Sequence, residues 1–265
     1  MTKKFKKILI PIIIIITGIV IVGAIIYIRK EKSGKHVVIQ VNEKELGFLP
    51  ELELKKLICE DIKKVEKPVL EAFVVSKCPY GLQMQRVLNE IIKNISSLAN
   101  NIRVEYIGSI ENEKITAMHG DEEAQENLRQ ICLREEQSDK YWKYIDCHIK
   151  KGEVENCVAE ADIDKAKLDS CLKEDSRGLK YAKEDFDLGK KYNVTSSPTL
   201  ILNGERASEF DFGGRTAEAV KTLICCGFET QPDFCSQKLN ENQAATGFSE
   251  TYNSSSSSGG QGGCK

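Results

Sequence analysis

A single cysteine set between an apolar run and a helical pattern, at Cys78-Pro79-Tyr80-Gly81, constrains this chain more than any other feature of its sequence. The preceding run Leu70-Glu71-Ala72-Phe73-Val74-Val75 reads as a strand. The residues that follow, Leu82, Gln85, Val87, Leu88, Ile91, Ile92 and Ile95, recur at spacings of three and four and predict one face of a helix. A strand that ends in Cys-Pro and feeds a helix places the sulfur at the helix N-terminus. Unpaired N–H groups and the macrodipole there favour the thiolate over the thiol. Pro79 suits the first helical position, because its missing N–H would have no partner there and its φ is already helical. The competing reading is a small buried residue at a strand end, the common fate of a free cysteine.

A second motif lies far downstream. Ser197-Pro198-Thr199 opens the apolar strand Leu200-Ile201-Leu202, which Asn203-Gly204 closes with a strong hairpin signal. Cys-Pro-Tyr followed by Ser-Pro-Thr-Leu, an Asn-Gly hairpin and a last helix resembles the DsbA-like domains of the thioredoxin superfamily. More narrowly, Ala219-Val220-Lys221 through Ile224-Cys225-Cys226-Gly227-Phe228, with Cys235 soon after, is similar to the end of the branch that holds the interferon-inducible lysosomal thiol reductase and the plant vacuolar sorting receptors. The resemblance spans roughly residues 67–236. It implies an α/β thioredoxin-like fold, with Cys78 as the catalytic nucleophile. Pro79, Tyr80, Ser197, Pro198 and Thr199 would bind substrate, the last three as a cis-proline loop that pairs with substrate backbone. The chain departs from the family's redox enzymes at Gly81, where they carry a second cysteine.

Within that span the expected order is strand 69–75, helix 79–98, strand 102–107, a polar helical insertion over about 111–193, strand 199–202, a hairpin partner near 205–210 and a final helix 216–227. Ahead of it, residues 29–66 form a juxtamembrane linker or extension, with a short strand at His36–Val41 and a helix over Glu51–Lys64. The insertion holds Cys132, Cys147, Cys157 and Cys171. A zinc site beside His148 would need a metal-ligand spacing that does not occur, so disulfides stapling a layer with little core of its own are expected, and no metal or cofactor. The expected pairs are Cys132 with Cys147, Cys157 with Cys171, and Cys225 or Cys226 with Cys235, the leftover vicinal cysteine reaching Cys59. Tyr141, Trp142 and Tyr144 either line a peptide-binding surface or anchor the helical layer. His119 and His148 have no partner visible in sequence.

The stretch Ile8 to Ile28 holds 21 residues without a charge. At about 1.5 Å per residue it spans roughly 30 Å, the thickness of a bilayer core, and predicts a single transmembrane helix. Its length and the absence of a small-x-small cleavage site favour an uncleaved signal anchor over a cleaved peptide. Basic residues tie across it, Lys3, Lys4, Lys6 and Lys7 against Arg29, Lys30, Lys32 and Lys35, so the positive-inside rule gives no orientation. Ten cysteines suit an oxidising compartment. Residues 1–7 are therefore expected to be cytoplasmic and the main domain extracytoplasmic. Residues 237–265, rich in Ser and Gly towards the end, read as a disordered tail; its Cys264 is an accessible thiol, a lipid or intermolecular crosslink site, or without a role, the last being favoured because no neighbouring charge would activate it. A net charge of −2 with interleaved acids and bases argues against nucleic-acid binding.

One cysteine can attack a disulfide and form a mixed disulfide, but an outside thiol such as glutathione, or a cysteine elsewhere in the chain, must then resolve it. Two functions follow. The first is membrane-tethered thiol–disulfide exchange on protein thiols or disulfides, with Cys78 reduced and reactive. The second is a binding module that kept the fold and lost its redox pair, with Cys78 inert or locked in a structural disulfide. A glutathione peroxidase or transferase would need a glutathione-carboxylate site that the sequence does not display.

Overall fold

A computed structural model of the protein describes residues 28–29, 38–39, 51–173, 175–253 and 262–264. The chain divides into two units, residues 1–54 and 55–265. In the first, β1 (Ile28–Arg29) pairs antiparallel with β2 (Val38–Ile39), the latter inside the expected strand His36–Val41. Apart from its last residue, the apolar run Ile8 to Ile28 lies outside the described residues. Among the described residues no helix is long and apolar enough to cross a membrane.

The second unit is a four-stranded mixed sheet in the order β4-β3-β7-β8. Strand β3 (Leu70–Val74) runs parallel to β4 (Ile102–Tyr106), with Leu70 opposite Ile102, and antiparallel to β7 (Thr199–Leu202), with Phe73 opposite Thr199. Strand β8 (Glu205–Ala207) closes the expected hairpin through Asn203 and Gly204, both at positive φ. Because side chains alternate along a strand, Leu70, Ala72 and Val74 enter the main core while Phe73 meets the Tyr192 ring edge-on across 6.1 Å. The central strand is thus buried on both faces, which explains its nearly continuous apolar run.

Helix α2 (Pro79–Asn94) follows β3 and packs against α8 (Ala217–Cys226), with Val87, Leu88, Ile91, Val220 and Ile224 buried together. It ends four residues before the expected boundary, and a short 3-10 turn over Ser96–Asn101 leads into β4. Helix α1 (Glu51–Asp61), which begins just before the division between the units, is held to α8 by the Cys59–Cys226 disulfide.

The insertion opens with a hairpin that the sequence did not announce, β5 (Ser109–Glu111) and β6 (Lys114–Thr116), turned by Asn112 and Glu113 at positive φ. Helices α3 (Asp121–Glu136), α4 (Ser138–Lys151), α5 (Val154–Glu160), α6 (Lys165–Lys173) and α7 (Lys180–Lys191) follow. Their disulfides are nested rather than sequential: Cys147 bonds to Cys157, inside Cys132–Cys171. Helix α4 folds back on α5 and α3 lies against α6, which brings Cys147 to Cys157 and Cys132 to Cys171 in place of the expected Cys132–Cys147 and Cys157–Cys171. Cys147 is therefore no zinc ligand. Tyr141 and Tyr144 are buried anchors. The Tyr141 hydroxyl lies 2.8 Å from that of Tyr106, Tyr144 donates to Glu126 at 2.8 Å, and Trp142 meets Tyr141 edge-on.

Residues 237–253 do not form the expected disordered tail. They lie on the domain, with Ala244 fully buried and its carbonyl accepting from Gln83 at 2.6 Å. The Arg86 guanidinium gathers the carbonyls of Ala245, Gly247, Ser249 and Ile149, and burial draws its pKa down to about 10. The Tyr252 hydroxyl accepts from Ala217 N at 2.9 Å at the start of α8. A polar segment with little apolar surface is thus held by its own carbonyls, because a buried cation requires acceptors.

Under the sheet, Arg134 on α3 reaches Glu105 on β4 at 2.9 Å and Asp185 on α7 at 2.6 Å. Burial outweighs the guanidinium, and with Asp185 alongside it raises the Glu105 carboxyl to about 8. Between the ordinary carboxylate range and that value the folded state binds the extra proton, so stability should fall as pH rises from about 5 to 8, by at most ~1.4 kcal/mol per pH unit. Urea unfolding across that range should show the slope, and Glu105→Gln should flatten it.

Candidate functional site

Cys78 is the N-cap of α2. Its backbone is extended (φ −64°, ψ 127°), Pro79 occupies the first turn, and its Sγ accepts from Gly81 N at 3.4 Å. The loop that presents it is fixed from the insertion: Asn127 Oδ1 accepts from Ser76 N at 2.9 Å and the buried Glu123 accepts from Lys77 N at 3.0 Å. Glu123 also lies 2.8 Å from His119 Nδ1, giving that histidine the partner its sequence neighbours did not reveal. His148 is buried far down the insertion, stacked on Tyr144 and 3.3 Å from Glu126, and burial lowers its pKa.

The sheet brings the second motif to Cys78. Because β7 pairs with β3, the loop ahead of Thr199 falls beside the residues that follow Val74. The Ser197–Pro198 bond is cis, Ser197 Oγ accepts from Val75 N at 3.0 Å, and the Ser197 carbonyl oxygen lies 3.6 Å from Cys78 Sγ. Thr199 Oγ1 donates back to Ser196 O at 2.7 Å and steadies the turn. Pro79 is exposed and Tyr80 half-buried, the Tyr80 ring lying under Arg215 at 5.3 Å. Arg215 is itself fixed by Glu209 at 2.9 Å and Gln83 at 3.1 Å. A cavity of about 480 Å³ opens beside Pro198, lined in part by Ser196, Thr199, Phe210 and Asp211, whose carboxyl is raised by burial. All the expected substrate-binding residues therefore converge on Cys78.

Cys78 is not a free thiol. It is fully buried and bonded to Cys264, the residue expected to play no part. Cys264 pairs antiparallel with Ser197: Ser197 N donates to Cys264 O and Cys264 N to Ser197 O, both at 2.9 Å. Two residues earlier, Gly262 lies on the Tyr80 ring so closely that a Cβ there would stand 1.9 Å from it. The remaining cysteines form Cys225–Cys235 and the pairs described above, leaving no free cysteine among the described residues. The signal available in sequence was parity. Ten cysteines can all pair, and once eight serve the fold only Cys78 and Cys264 remain.

Glycine at 81 has a steric cause. A Cβ at that position would lie 2.5 Å from the Val75 carbonyl oxygen and 2.8 Å from Ser197 Oγ. The room a second sulfur would need is taken by the hydroxyl that joins the two motifs.

Residues 69–174 match the family model of gamma interferon inducible lysosomal thiol reductase (GILT). The sheet order and the cis Ser197–Pro198 bond fit the thioredoxin-like fold expected above, and residues 69–174 are similar to GILT. The matched stretch runs from β3 through α6 and includes Cys78; Ser197, Pro198, Thr199 and Cys264 lie outside it. Among solved structures the chain is similar to MdbA, a thiol-disulfide oxidoreductase from Actinomyces oris, at 14% identity over 63% of this chain and 83% of that one, with a TM-score of 0.43. It is also similar to oxidised BdbD from Bacillus subtilis at 16% identity, over 62% of this chain and 89% of that one, TM-score 0.43. For reduced DsbA from Mycobacterium tuberculosis the figures are 14% identity, 64% and 90% coverage, and a TM-score of 0.43. No curated protein sequence matches the chain.

The Gly81 contacts set an expected outcome. Helix propensity alone would favour alanine over glycine by ~1 kcal/mol, but overpacking against a backbone carbonyl costs roughly 1–3 kcal/mol. Gly81→Ala should therefore lower stability in urea unfolding, and Gly81→Cys should lower it further without yielding a 78–81 disulfide in peptide mapping.

Proposed function

We propose that this protein carries out thiol–disulfide exchange on protein substrates through Cys78, with Ser197, Pro198 and Thr199 as the edge on which an extended substrate is laid. One observation carries the reading. Cys78 is already joined to a cysteine whose backbone pairs with Ser197, the arrangement that a mixed disulfide with a docked polypeptide would have. The helix N-terminus supplies the electrostatics, since a Gly81 N–H directed at the sulfur stabilises a thiolate leaving group. The GILT match and the thioredoxin-like fold support exchange in general terms.

In this reading the domain is tethered by the apolar run Ile8 to Ile28 and works on the extracytoplasmic side, where ten cysteines can remain oxidised. Protein thiols and disulfides are its substrates, and glutathione is a candidate outside thiol. A second reading, a binding module in which Cys78–Cys264 is only a staple, draws on the complete burial of the Cys78 sulfur and on glycine at 81.

Graded reduction of the full chain with dithiothreitol, quenched by alkylation and mapped by mass spectrometry, separates the two. Exchange requires Cys78–Cys264 to open while Cys59–Cys226, Cys132–Cys171, Cys147–Cys157 and Cys225–Cys235 stay closed. The released Cys78 should then alkylate with a midpoint well below the ~8.5 of an ordinary cysteine, its rate rising with pH through that midpoint. Opening only together with the other four, or a midpoint at or above ~8.5, would establish the staple.

A further inference from the structure

A mixed disulfide at Cys78 needs a second thiol, and position 81, directly after Tyr80, is closed to one. We propose that Cys264 is the resolving thiol of this site, delivered within the same chain, so that Cys78 and Cys264 form the working redox pair. This rests on Cys78 being the exchanging cysteine.

Four observations converge on it. The other eight cysteines are committed to disulfides that join helices or secure the segment after α8, which leaves Cys264 as the available partner among the described residues. Cys264 is seated by two backbone hydrogen bonds to Ser197, so its approach to Cys78 is guided. Its neighbours fit the edge: Gly262 occupies a place against Tyr80 where no side chain would fit, and a Cβ at Gly263 would stand 3.3 Å from the Ser197 carbonyl oxygen. Finally, the segment is rooted nearby, with Tyr252 bonded to the start of α8 and Ala244 pairing with Asn253. Cys264 belongs to the same chain as Cys78, so its encounter with a mixed disulfide there is intramolecular.

The chemistry balances in two steps. In the reduced protein the Cys78 thiolate attacks one sulfur of a substrate disulfide, forming the Cys78–substrate bond and releasing the other substrate sulfur as a thiolate that takes a proton. The Cys264 thiolate then attacks Cys78 Sγ, forming Cys78–Cys264 and expelling the second substrate thiolate. The substrate disulfide gains two electrons, and the Cys78 and Cys264 thiols supply them. Two molecules of an outside thiol such as reduced glutathione restore the pair, the first forming a mixed disulfide and the second displacing it, and leave as one oxidised disulfide. Substrate and Cys264 compete for Ser197, so the segment must vacate the edge before a polypeptide docks and return to expel it.

The test uses the full chain with Cys78–Cys264 opened, mixed with oxidised glutathione, and compares it with Cys264→Ser, Gly262→Val and Cys78→Ser by mass spectrometry of quenched samples. The unsubstituted protein should release two glutathione molecules and close Cys78–Cys264. Cys264→Ser should release one and retain a Cys78–glutathione adduct that persists at least tenfold longer. Gly262→Val should form that adduct at the normal rate but resolve it about tenfold more slowly, because a side chain at 262 meets Tyr80. If Cys264→Ser resolves the adduct as fast as the unsubstituted protein, Cys264 has no such role, although exchange at Cys78 stands. Failure of any protein to form an adduct that Cys78→Ser abolishes would overturn both readings.

Discussion

The hydrogen bond from Val75 N to Ser197 Oγ is the joint on which this site depends. It ties the end of the central strand to the loop before the cis-proline, across a large separation in sequence, and it is available only because β7 lies antiparallel to β3 with Phe73 opposite Thr199. From it follow the position of the Ser197 carbonyl near Cys78 Sγ, the free main-chain edge that Cys264 fills, and the exclusion of any side chain at 81. One hydroxyl therefore helps set the edge that Cys264 occupies and leaves no room for a side chain at 81. The second consequence accounts for glycine at that position.

Around this joint, polar groups do much of the positioning. Glu123 and Asn127 reach from α3 to the backbone just ahead of Cys78, and Arg215, which lies over the Tyr80 ring, is fixed by Glu209 and Gln83. Such buried groups are stable only when their hydrogen bonds are made, which makes them sensitive to the placement of whole helices. The insertion is thus more than a cap on the sheet: its first helix holds the loop that presents Cys78. Its nested disulfides serve that purpose by fixing α3 to α6 and α4 to α5, where a polar layer could not do so by apolar burial alone.

Local pattern revealed the framework well and long-range chemistry poorly. The strand at Leu70–Val74, the helix that begins at Pro79, the Asn203-Gly204 hairpin and the final helix were legible because periodicity and turn residues are local signals. The convergence of Cys78 with Ser197 and Pro198 was legible through family resemblance. Of the disulfides, Cys225–Cys235 and Cys59–Cys226 are as expected, whereas those of the insertion were not legible, since Cys132 and Cys171 meet through the packing of helices rather than through spacing. Residues 237–253 gave no hydrophobic signal because their backbone carbonyls, bound by Arg86, hold them in place. Cys264 was misread for the same reason: its environment comes from Ser197 and Tyr80, far away in sequence, while its own neighbours are serine and glycine.

The Cys78–Cys264 bond closes a covalent ring spanning a sequence separation of 186. In the closed state a pull applied at Cys264 is carried straight into the N-terminus of α2 and the central strand. In the open state the same pull falls first on the hydrogen bond of Tyr252 with Ala217 and on the contacts of Arg86 with residues 245–249. Whether that one bond is closed thus sets which part of the domain bears mechanical load.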